Sequence, residues 1–147
     1  MSIPEVLYTY SEDETRLLAR QMAEEAKAGD VFALVGDLGV GKTVFAKGFA
    51  DGLGVFGYIT SPTFTLIHEY ETKKGCRLMH SDLYRLSDED ELYDIGWDEY
   101  LEGDFIVLAE WADMFPDCFP GNTTWIMIEK DLQKGVNARR ITVRRAE

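Results

Sequence analysis

One stretch of the sequence has residue types and spacing typical of a phosphate-binding loop. It fits the pattern G-x-x-x-x-G-K-[ST] and comprises Gly36, Asp37, Leu38, Gly39, Val40, Gly41, Lys42 and Thr43. Glycines let the backbone fold closely around phosphate oxygens, so that successive N–H groups face the anion. Lys42 would place a positive charge at the β- and γ-phosphates, and the Thr43 hydroxyl would bind Mg²⁺. The stretch therefore predicts a site for a nucleoside triphosphate with Mg²⁺.

The order of the glycines distinguishes this loop from that of dinucleotide-binding proteins. The glycines fall as G-x-x-G-x-G, whereas a dinucleotide site requires G-x-G-x-x-G. The Lys-Thr pair after the last glycine belongs to nucleoside triphosphate chemistry. We therefore interpret the loop as a mononucleotide site, and the alternative is a glycine-rich turn that carries a lysine by chance.

Two acidic residues come at the ends of predicted strands. Glu110 follows the apolar run 105–109, as the carboxylate of a Walker B strand does, and would bind Mg²⁺ or orient a water molecule. Asp82 ends another strand, where a P-loop protein holds its metal through water. The predicted catalytic residues are Lys42, Asp82 and Glu110, and the predicted Mg²⁺ ligands are Thr43, Asp82 and Glu110.

Other polar residues nearby allow two interpretations. Glu110 could cap the next helix, although Glu is a poor N-cap. His80, two residues before Asp82 on the same strand face, is more typical of a hydrogen-bonded core histidine than of a catalyst. The segment 60–65 could be a polar turn, or its hydroxyls, with Thr63 among them, could sense the γ-phosphate and Mg²⁺ as a switch segment does.

The elements that must position these residues follow from hydrophobic periodicity. Residues 31–35 predict a buried parallel strand before the loop, and residues 44–53 predict the helix after it, ended by Gly52 and Gly54. Further strands are predicted over residues 5–10, 64–71, 77–81, 105–109, 123–129 and 138–144. Strands alternating with helices indicate an α/β fold with a P-loop NTPase-like mixed sheet.

The first helix is predicted from its cap. Ser11 with Glu14 forms a capping box, and the helix should run to about Lys27, with Gly29 ending it. Its predicted apolar face consists of Leu17, Leu18, Met22 and Ala26. The segment that enters this helix, Ser11 included, could also contact the base of a nucleotide.

Residues 82–104 concentrate the negative charge of the chain. They contain ten acidic residues and one basic residue, Arg85, and Ser87 is the predicted cap of a helix. Such a run is usually a solvated face. Because the apolar residues Leu92, Tyr93, Ile95 and Trp97 are interleaved with the acids, the alternative is a docking surface for a basic protein.

Composition limits the classes of protein that fit. With 147 residues, 46% of them hydrophobic, residues 1–147 are expected to form one domain with a substantial core. The net charge of −12 argues against direct binding of nucleic acid, which requires a basic face. Two cysteines and the lack of any apolar run of 18 residues predict a soluble cytoplasmic protein without membrane contact.

Five motifs together resemble one family. They are G-D-L-G-V-G-K-T (36–43), S-P-T-F-T (61–65), H-S-D-L-Y-R-L (80–86), E-L-Y-D-I-G (91–96) and A-E-W-A-D (109–113). In this order and in so short a chain they resemble the TsaE (YjeE) family, bacterial ATPases required for threonylcarbamoyladenosine formation in tRNA. The resemblance spans residues 11–144.

The resemblance implies ligands, partners and site residues. It implies ATP at residues 36–43, a switch at 61–65, Mg²⁺ at Thr43 and Glu110 with Asp82 nearby, and Trp111 beside the nucleotide. It also implies a mixed sheet with helices on both sides. The implied partners are the TsaD and TsaB proteins, so that tRNA would be met only through the complex.

The chain departs from the family at one position near the nucleotide. Members often carry a Gly-Arg pair in the last hairpin, whereas this chain has Gly135 followed by Val136, with Arg139 and Arg140 further on. A small-molecule P-loop kinase is the alternative enzyme, but it would need an arginine-bearing lid. A nucleotide sensor without turnover is the third possibility, and it would lack a carboxylate at 82 or 110.

Overall fold

The computed structural model describes residues 4–37, 39–55 and 67–145, which form one mixed seven-stranded sheet covered by helices. The elements are β1 (Glu5–Thr9), α1 (Glu12–Glu24), β2 (Val31–Val35), α2 (Lys42–Leu53), β3 (Ile67–Glu71), β4 (Arg77–Asp82), α3 (Glu89–Asp94), α4 (Trp97–Glu102), β5 (Phe105–Glu110), β6 (Thr124–Lys130) and β7 (Arg139–Arg144). Two short 3₁₀ turns, Ala112–Met114 and Pro116–Cys118, follow β5. The predicted α/β class is confirmed.

The strand before the loop lies in the middle of the sheet. The strand order is β1-β7-β6-β2-β5-β4-β3, with β2 parallel to both β5 and β6, and β4 parallel to β5. The outer pairs β1–β7, β6–β7 and β3–β4 are antiparallel. Because the four parallel strands point the same way, the residues that follow β2, β4 and β5 meet at one edge of the sheet.

Alternating side chains of the central strands form a core on each face. On one face, Phe32 and Leu34 of β2 pack with Phe45 and Phe49 of α2 and with the buried side of α1. On the other face, Val31 and Val107 pack with buried residues of α3, α4 and the 3₁₀ turns. This period-two division explains why β2 and β5 are almost continuously apolar. The predicted arrangement of helices on both faces is confirmed.

Glycines set the distance between α1 and α2. A Cβ at Gly48 would lie 2.3 Å from the Arg16 carbonyl oxygen, and one at Gly52 would lie 2.4 Å from that of Arg20. Gly52 therefore lies inside α2 as a packing residue, and the prediction that it ends the helix is wrong. Gly54, with φ of 70°, is the residue that caps α2.

The first helix begins as predicted and ends earlier. The Ser11 side chain accepts a hydrogen bond from the Glu14 N–H at 3.1 Å, which starts α1. The helix ends at Glu24 rather than Lys27, because the Asp30 carboxylate accepts the Lys27 N–H at 2.9 Å and forms a competing local turn. Leu17 is 54% exposed, so its assignment to the apolar face is wrong.

The acidic segment also differs from its prediction. Asp88, not Ser87, caps α3 by accepting the Glu91 N–H, and the Glu91 carboxylate accepts the Ser87 N–H. The N-cap of α3 therefore lies one residue later than predicted. Leu92 and Trp97 are fully buried, so they belong to the core and cannot form part of a docking surface. Apart from Asp82, which is partly buried, the acids of the segment are exposed.

Candidate functional site

The carboxylates proposed from sequence lie side by side at the edge where the parallel strands end. Asp82 of β4 and Glu110 of β5 are register partners, and Glu110 is also opposite Leu34 near the end of β2. The loop between β2 and α2 begins at the next residues. Strand pairing therefore brings together three parts of the chain that are far apart in sequence.

The loop has the backbone that its glycines predict. Gly39 and Gly41 adopt positive φ values of 79° and 112°, which favour glycine, and the space beside each is open. A Cβ at Gly36 would lie 2.7 Å from the Ile128 carbonyl oxygen, so this glycine lets the loop lie against β6. Leu38, which was also assigned to the loop, lies outside the described residues.

Lys42 is buried between the loop and a tryptophan. Its Nζ donates a hydrogen bond to the Gly36 carbonyl oxygen at 2.6 Å and lies 3.4 Å from the centroid of the Trp111 ring. Burial lowers the pKa of Lys42 below its usual value. Four carboxylates oppose this shift, in decreasing order Glu110, Asp82, Asp113 and Asp37. The ammonium group is thus held by one carbonyl and one aromatic face.

Asp82 lies in a partly buried position beside the loop lysine. Burial raises the pKa of Asp82 above its usual value, and the negative charge of Glu110 adds to the shift. The Tyr84 N–H, which donates to Asp82 Oδ1 at 2.9 Å, opposes it, as does the charge of Lys42. A nearby cation would therefore interact favourably with this carboxylate.

Glu110 is buried and bonded to a histidine. Glu110 is 3% exposed, and its Oε2 lies 2.6 Å from Nε2 of His80, which is 1% exposed. The prediction that His80 is a hydrogen-bonded core histidine agrees with this contact. Trp111 begins the 3₁₀ turn after β5, so Glu110 does not cap that turn.

A pocket of about 520 Å³ opens between the loop and the ends of β5 and β6. The residues that line it are Val35, Gly36, Asp37, Val40, Trp111, Asp113, Met127, Ile128, Glu129 and Lys130. Thr43 is exposed in the first turn of α2, next to Lys42. The pocket is large enough for part of a nucleotide and is bordered by the residues assigned to phosphate binding.

A smaller pocket of about 80 Å³ lies on the other side of the loop. Ser11 lines it together with Gly39, Gly41 and Arg139, so the structure places Ser11 beside the loop. Its contact with a nucleotide base stays a prediction. Arg139 Nε donates to the Val40 carbonyl oxygen at 2.7 Å, and its Nη1 donates to two carbonyls of the last hairpin.

Arg139 is a residue of the site that the sequence did not assign. The only signal in the sequence was the position of Arg139 just after the place where family members carry arginine. Val136 is 80% exposed, whereas Arg139, at the beginning of β7, contacts the loop. The predicted switch residue Thr63, with the whole segment 61–65, lies outside the described residues.

The described residues contain no cluster of three or more His, Cys, Asp or Glu side chains suited to a metal. This agrees with the chemistry of Mg²⁺, which is commonly bound by one or two protein carboxylates together with substrate phosphates and water. Asp82, Glu110 and the exposed Thr43 are oxygen ligands of that kind. The residues therefore fit a Mg²⁺ ion that arrives with a nucleotide.

Comparison with known proteins assigns the chain to a family. A family model described as "Threonylcarbamoyl adenosine biosynthesis protein TsaE" matches residues 9–141. The chain belongs to the TsaE family. This match covers every described residue of the site, from Ser11 to Arg139.

Individual members of the TsaE family are similar over most of their length. The Bacillus subtilis tRNA threonylcarbamoyladenosine biosynthesis protein TsaE is 44% identical over 91% of this chain and 81% of its own. The Aquifex aeolicus protein of the same name is 42% identical over 74% of this chain and 77% of its own. The crystal structure of Bacillus subtilis YdiB matches with a TM-score of 0.80 and 37% identity over 100% of this chain and 88% of that one.

Proposed function

We propose that this protein is a Mg²⁺-dependent ATPase that acts in threonylcarbamoyladenosine formation in tRNA, in the cytoplasm, with proteins of the TsaD and TsaB type. One observation carries the proposal: Lys42, Asp82 and Glu110 converge beside a glycine loop at one edge of the sheet. Membership of the TsaE family supports the tRNA pathway. The convergence of the three side chains supports ATP hydrolysis as the reaction.

The residues divide the work on ATP among them. The loop backbone and the N-terminus of α2 would bind the phosphates, and Lys42 would exchange the Gly36 carbonyl for phosphate oxygens. Thr43, Asp82 and Glu110 would hold Mg²⁺, which neutralises charge that develops on the phosphates. Glu110 would in addition orient the attacking water molecule.

Hydrolysis fits the described residues better than transfer to a small acceptor. Kinases close an arginine lid over the phosphates, and the arginines between Lys42 and Glu110 are Arg77 and Arg85. Arg77 begins β4, at the opposite end of that strand from Asp82, and bonds to Glu69 at 3.4 Å. Arg85 is an exposed residue three positions after Asp82. Neither belongs to a lid in the part of the chain that the structure describes.

The proposal is tested by measuring phosphate release with the chain alone and with TsaD and TsaB added. We expect slow phosphate release by the chain alone and faster release in the complex, because a partner would supply the arginine that the isolated site lacks. An arginine on the γ-phosphate contributes about 10³ to 10⁵ in rate where one is present. Phosphate that appears on a small acceptor, rather than free in solution, would identify a kinase. Bound ATP that is never hydrolysed, even in the complex, would identify a sensor.

Two variants separate binding from turnover in the same assay. Lys42→Ala should weaken ATP binding about ten- to a hundredfold, because a charge-assisted contact worth about 1.5 to 3 kcal/mol is lost. Glu110→Gln should leave ATP bound and slow hydrolysis, because its work is on water and metal. Unchanged affinity in Lys42→Ala, measured by calorimetry, would contradict the phosphate assignment.

A further inference from the structure

His80 is hydrogen-bonded to Glu110, the carboxylate proposed to bind Mg²⁺ and to orient water, and the contact is closed to solvent. Nε2 of His80 and Oε2 of Glu110 are 2.6 Å apart, and both side chains are at least 96% buried. The two residues lie on neighbouring parallel strands, His80 opposite Leu108 and Glu110 opposite Asp82. Two rigid central strands therefore fix the distance between the imidazole and the carboxylate.

The surroundings of His80 identify which ring nitrogen carries the proton. Nδ1 of His80 is buried and has no hydrogen-bond partner among the described residues. A buried N–H group without an acceptor is rarer and more costly than an acceptor left alone. A proton therefore belongs on Nε2, so that His80 donates this hydrogen bond to Glu110.

We propose that His80 is a positioning residue that holds Glu110 in one orientation through a hydrogen bond from its Nε2. The inference rests on the proposed function, since it names how that site is prepared. Groups that orient metal-binding carboxylates are typically worth ten- to a hundredfold in metal affinity or activity. Without a partner the Glu110 carboxylate could rotate about its side-chain bonds. The hydrogen bond to His80 on β4 restricts it to one orientation.

A purely structural role explains these two residues less well. A buried polar pair is often no more stabilising than apolar side chains of similar volume. Buried apolar side chains, such as Met79 and Leu108, lie beside this pair on the same two strands. Because the His80–Glu110 pair gives the fold little advantage over apolar residues, a role in the site explains its presence better.

The experiment compares three histidine variants. His80→Phe keeps the ring and removes the donor, whereas His80→Gln keeps a side-chain N–H donor. His68→Phe is the matched control, because His68 is the register partner of His80 on β3 and contacts Tyr70 instead of Glu110. Thermal unfolding of each variant verifies that it is folded. The measurements are ATP affinity, Mn²⁺ affinity of the ATP complex by electron paramagnetic resonance, and turnover at saturating ATP.

The expected pattern is specific to the metal and to turnover. In His80→Phe, Mn²⁺ affinity and turnover should each fall about tenfold with ATP affinity changed less than threefold, while His80→Gln should recover most of the loss. In a Glu110→Ala background, His80→Phe should have no further effect, because the group through which it acts is gone. A long-range ¹H–¹⁵N spectrum should show a proton on Nε2 and none on Nδ1 of His80.

The outcomes that contradict the inference are separate from those that contradict the function. Wild-type protein that neither binds Mg²⁺–ATP nor hydrolyses it would overturn the proposed function, and the inference with it. Active wild-type protein with unchanged Mn²⁺ affinity and turnover in folded His80→Phe would overturn the inference alone. Equal effects of His80→Phe with and without the Glu110 carboxylate would do the same.

Discussion

Trp111 has an unusual backbone conformation beside the loop lysine. Its φ of 59° is the only positive value among the described residues other than glycine. Its ring lies 4.7 Å from that of Tyr84 and 3.4 Å from Lys42 Nζ. Strained residues of this kind are common at ligand sites. The indole ring is therefore placed to report what happens to the Lys42 charge.

Binding of Mg²⁺–ATP should change the tryptophan fluorescence, because Lys42 would leave the indole face for the phosphates. The change should vanish in Trp111→Phe and survive in Trp97→Phe and Trp125→Phe. Trp97 is fully buried in the core on one face of the sheet, and Trp125 packs on Phe119. A signal that is carried by Trp97 or Trp125 would mean that Trp111 is not beside the bound phosphates.

Asp82→Asn should raise the melting temperature of the ligand-free protein at pH 7 by about 2 °C. Its raised pKa means that the folded state disfavours the ionised carboxylate, and Asn removes the charge while keeping an oxygen for the Tyr84 N–H. The loss of folding stability caused by ionised Asp82 is complete above the pKa of Asp82 in the folded state. It disappears as the pH falls toward 3.8, the ordinary pKa of an Asp side chain.

The gain from Asp82→Asn should therefore shrink as the pH is lowered. Melting curves between pH 4 and pH 7 measure it, with Asp104→Asn in an exposed turn as the control. A gain that grows on acidification would contradict the sign of the shift.

Residues with local signals were predictable, and residues with only tertiary signals were not. Lys42 and its glycines follow one another in the chain, so spacing alone identifies them. Glu110 and Asp82 are identified by the apolar strands before them. The contacts of Arg139 with Val40 depend on how β7 lies against the loop, and no spacing in the sequence encodes that approach.

At the scale of elements, the last hairpin is tied to the loop by one side chain. Arg139 joins the Val40 carbonyl to the carbonyls of Val136 and Ala138. The loop between β2 and α2 is therefore supported by β7, although β6 lies between β7 and β2 in the sheet. Through this contact the hairpin supports the proposed nucleotide site.

Arg139→Ala should weaken ATP binding roughly tenfold, or about 1.4 kcal/mol, because the loop would lose the donor that fixes the Val40 carbonyl. Arg144→Ala is the matched control, since Arg144 is exposed at the other end of β7 and lines neither pocket. Calorimetry with both variants measures the difference. Equal affinities in Arg139→Ala and Arg144→Ala would show that the contact does not support the loop.

Strands were predicted more accurately than helix ends. Six of the seven described strands lie within one residue of their predicted bounds, because alternation and apolar runs reflect burial directly. The predicted start of β3 at residue 64 lies outside the described residues. At Lys27 and Ser87 the prediction failed because a carboxylate, Asp30 or Asp88, accepts a backbone N–H near the end of the helix. At Gly52 it failed because the glycine is needed inside α2, where α1 packs closely against it.

For the whole molecule, the dominant property is negative charge on the side that carries α3 and α4. Asp90 and Asp94 are exposed, one helical turn apart, and Glu91 is needed for the cap of α3. No helix among the described residues is long and apolar enough to cross a membrane. A basic partner surface remains the hypothesis that uses this charge.

Asp90→Lys combined with Asp94→Lys should weaken stimulation of ATP hydrolysis by TsaD and TsaB, most strongly at low salt, where charge attraction is least screened. The unstimulated rate should stay the same, since neither residue lines the pockets. Glu24→Lys combined with Glu25→Lys makes the same change in charge at the end of α1 and serves as the control. Equal losses in the two double variants would show that net charge alone matters.

The central position of β2 has a consequence for how the protein is made. Val31 pairs with Val107, and Phe32 pairs with Thr124, so both neighbours of β2 are synthesised long after it. At about 5 to 20 residues per second, the loop sequence leaves the ribosome several seconds before these strands exist. During that interval the loop has no Glu110 beside it and no β6 backbone behind Gly36. A nucleotide that binds as proposed would therefore find its site only after β5 and β6 have been made, and it would stabilise the folded protein by mass action.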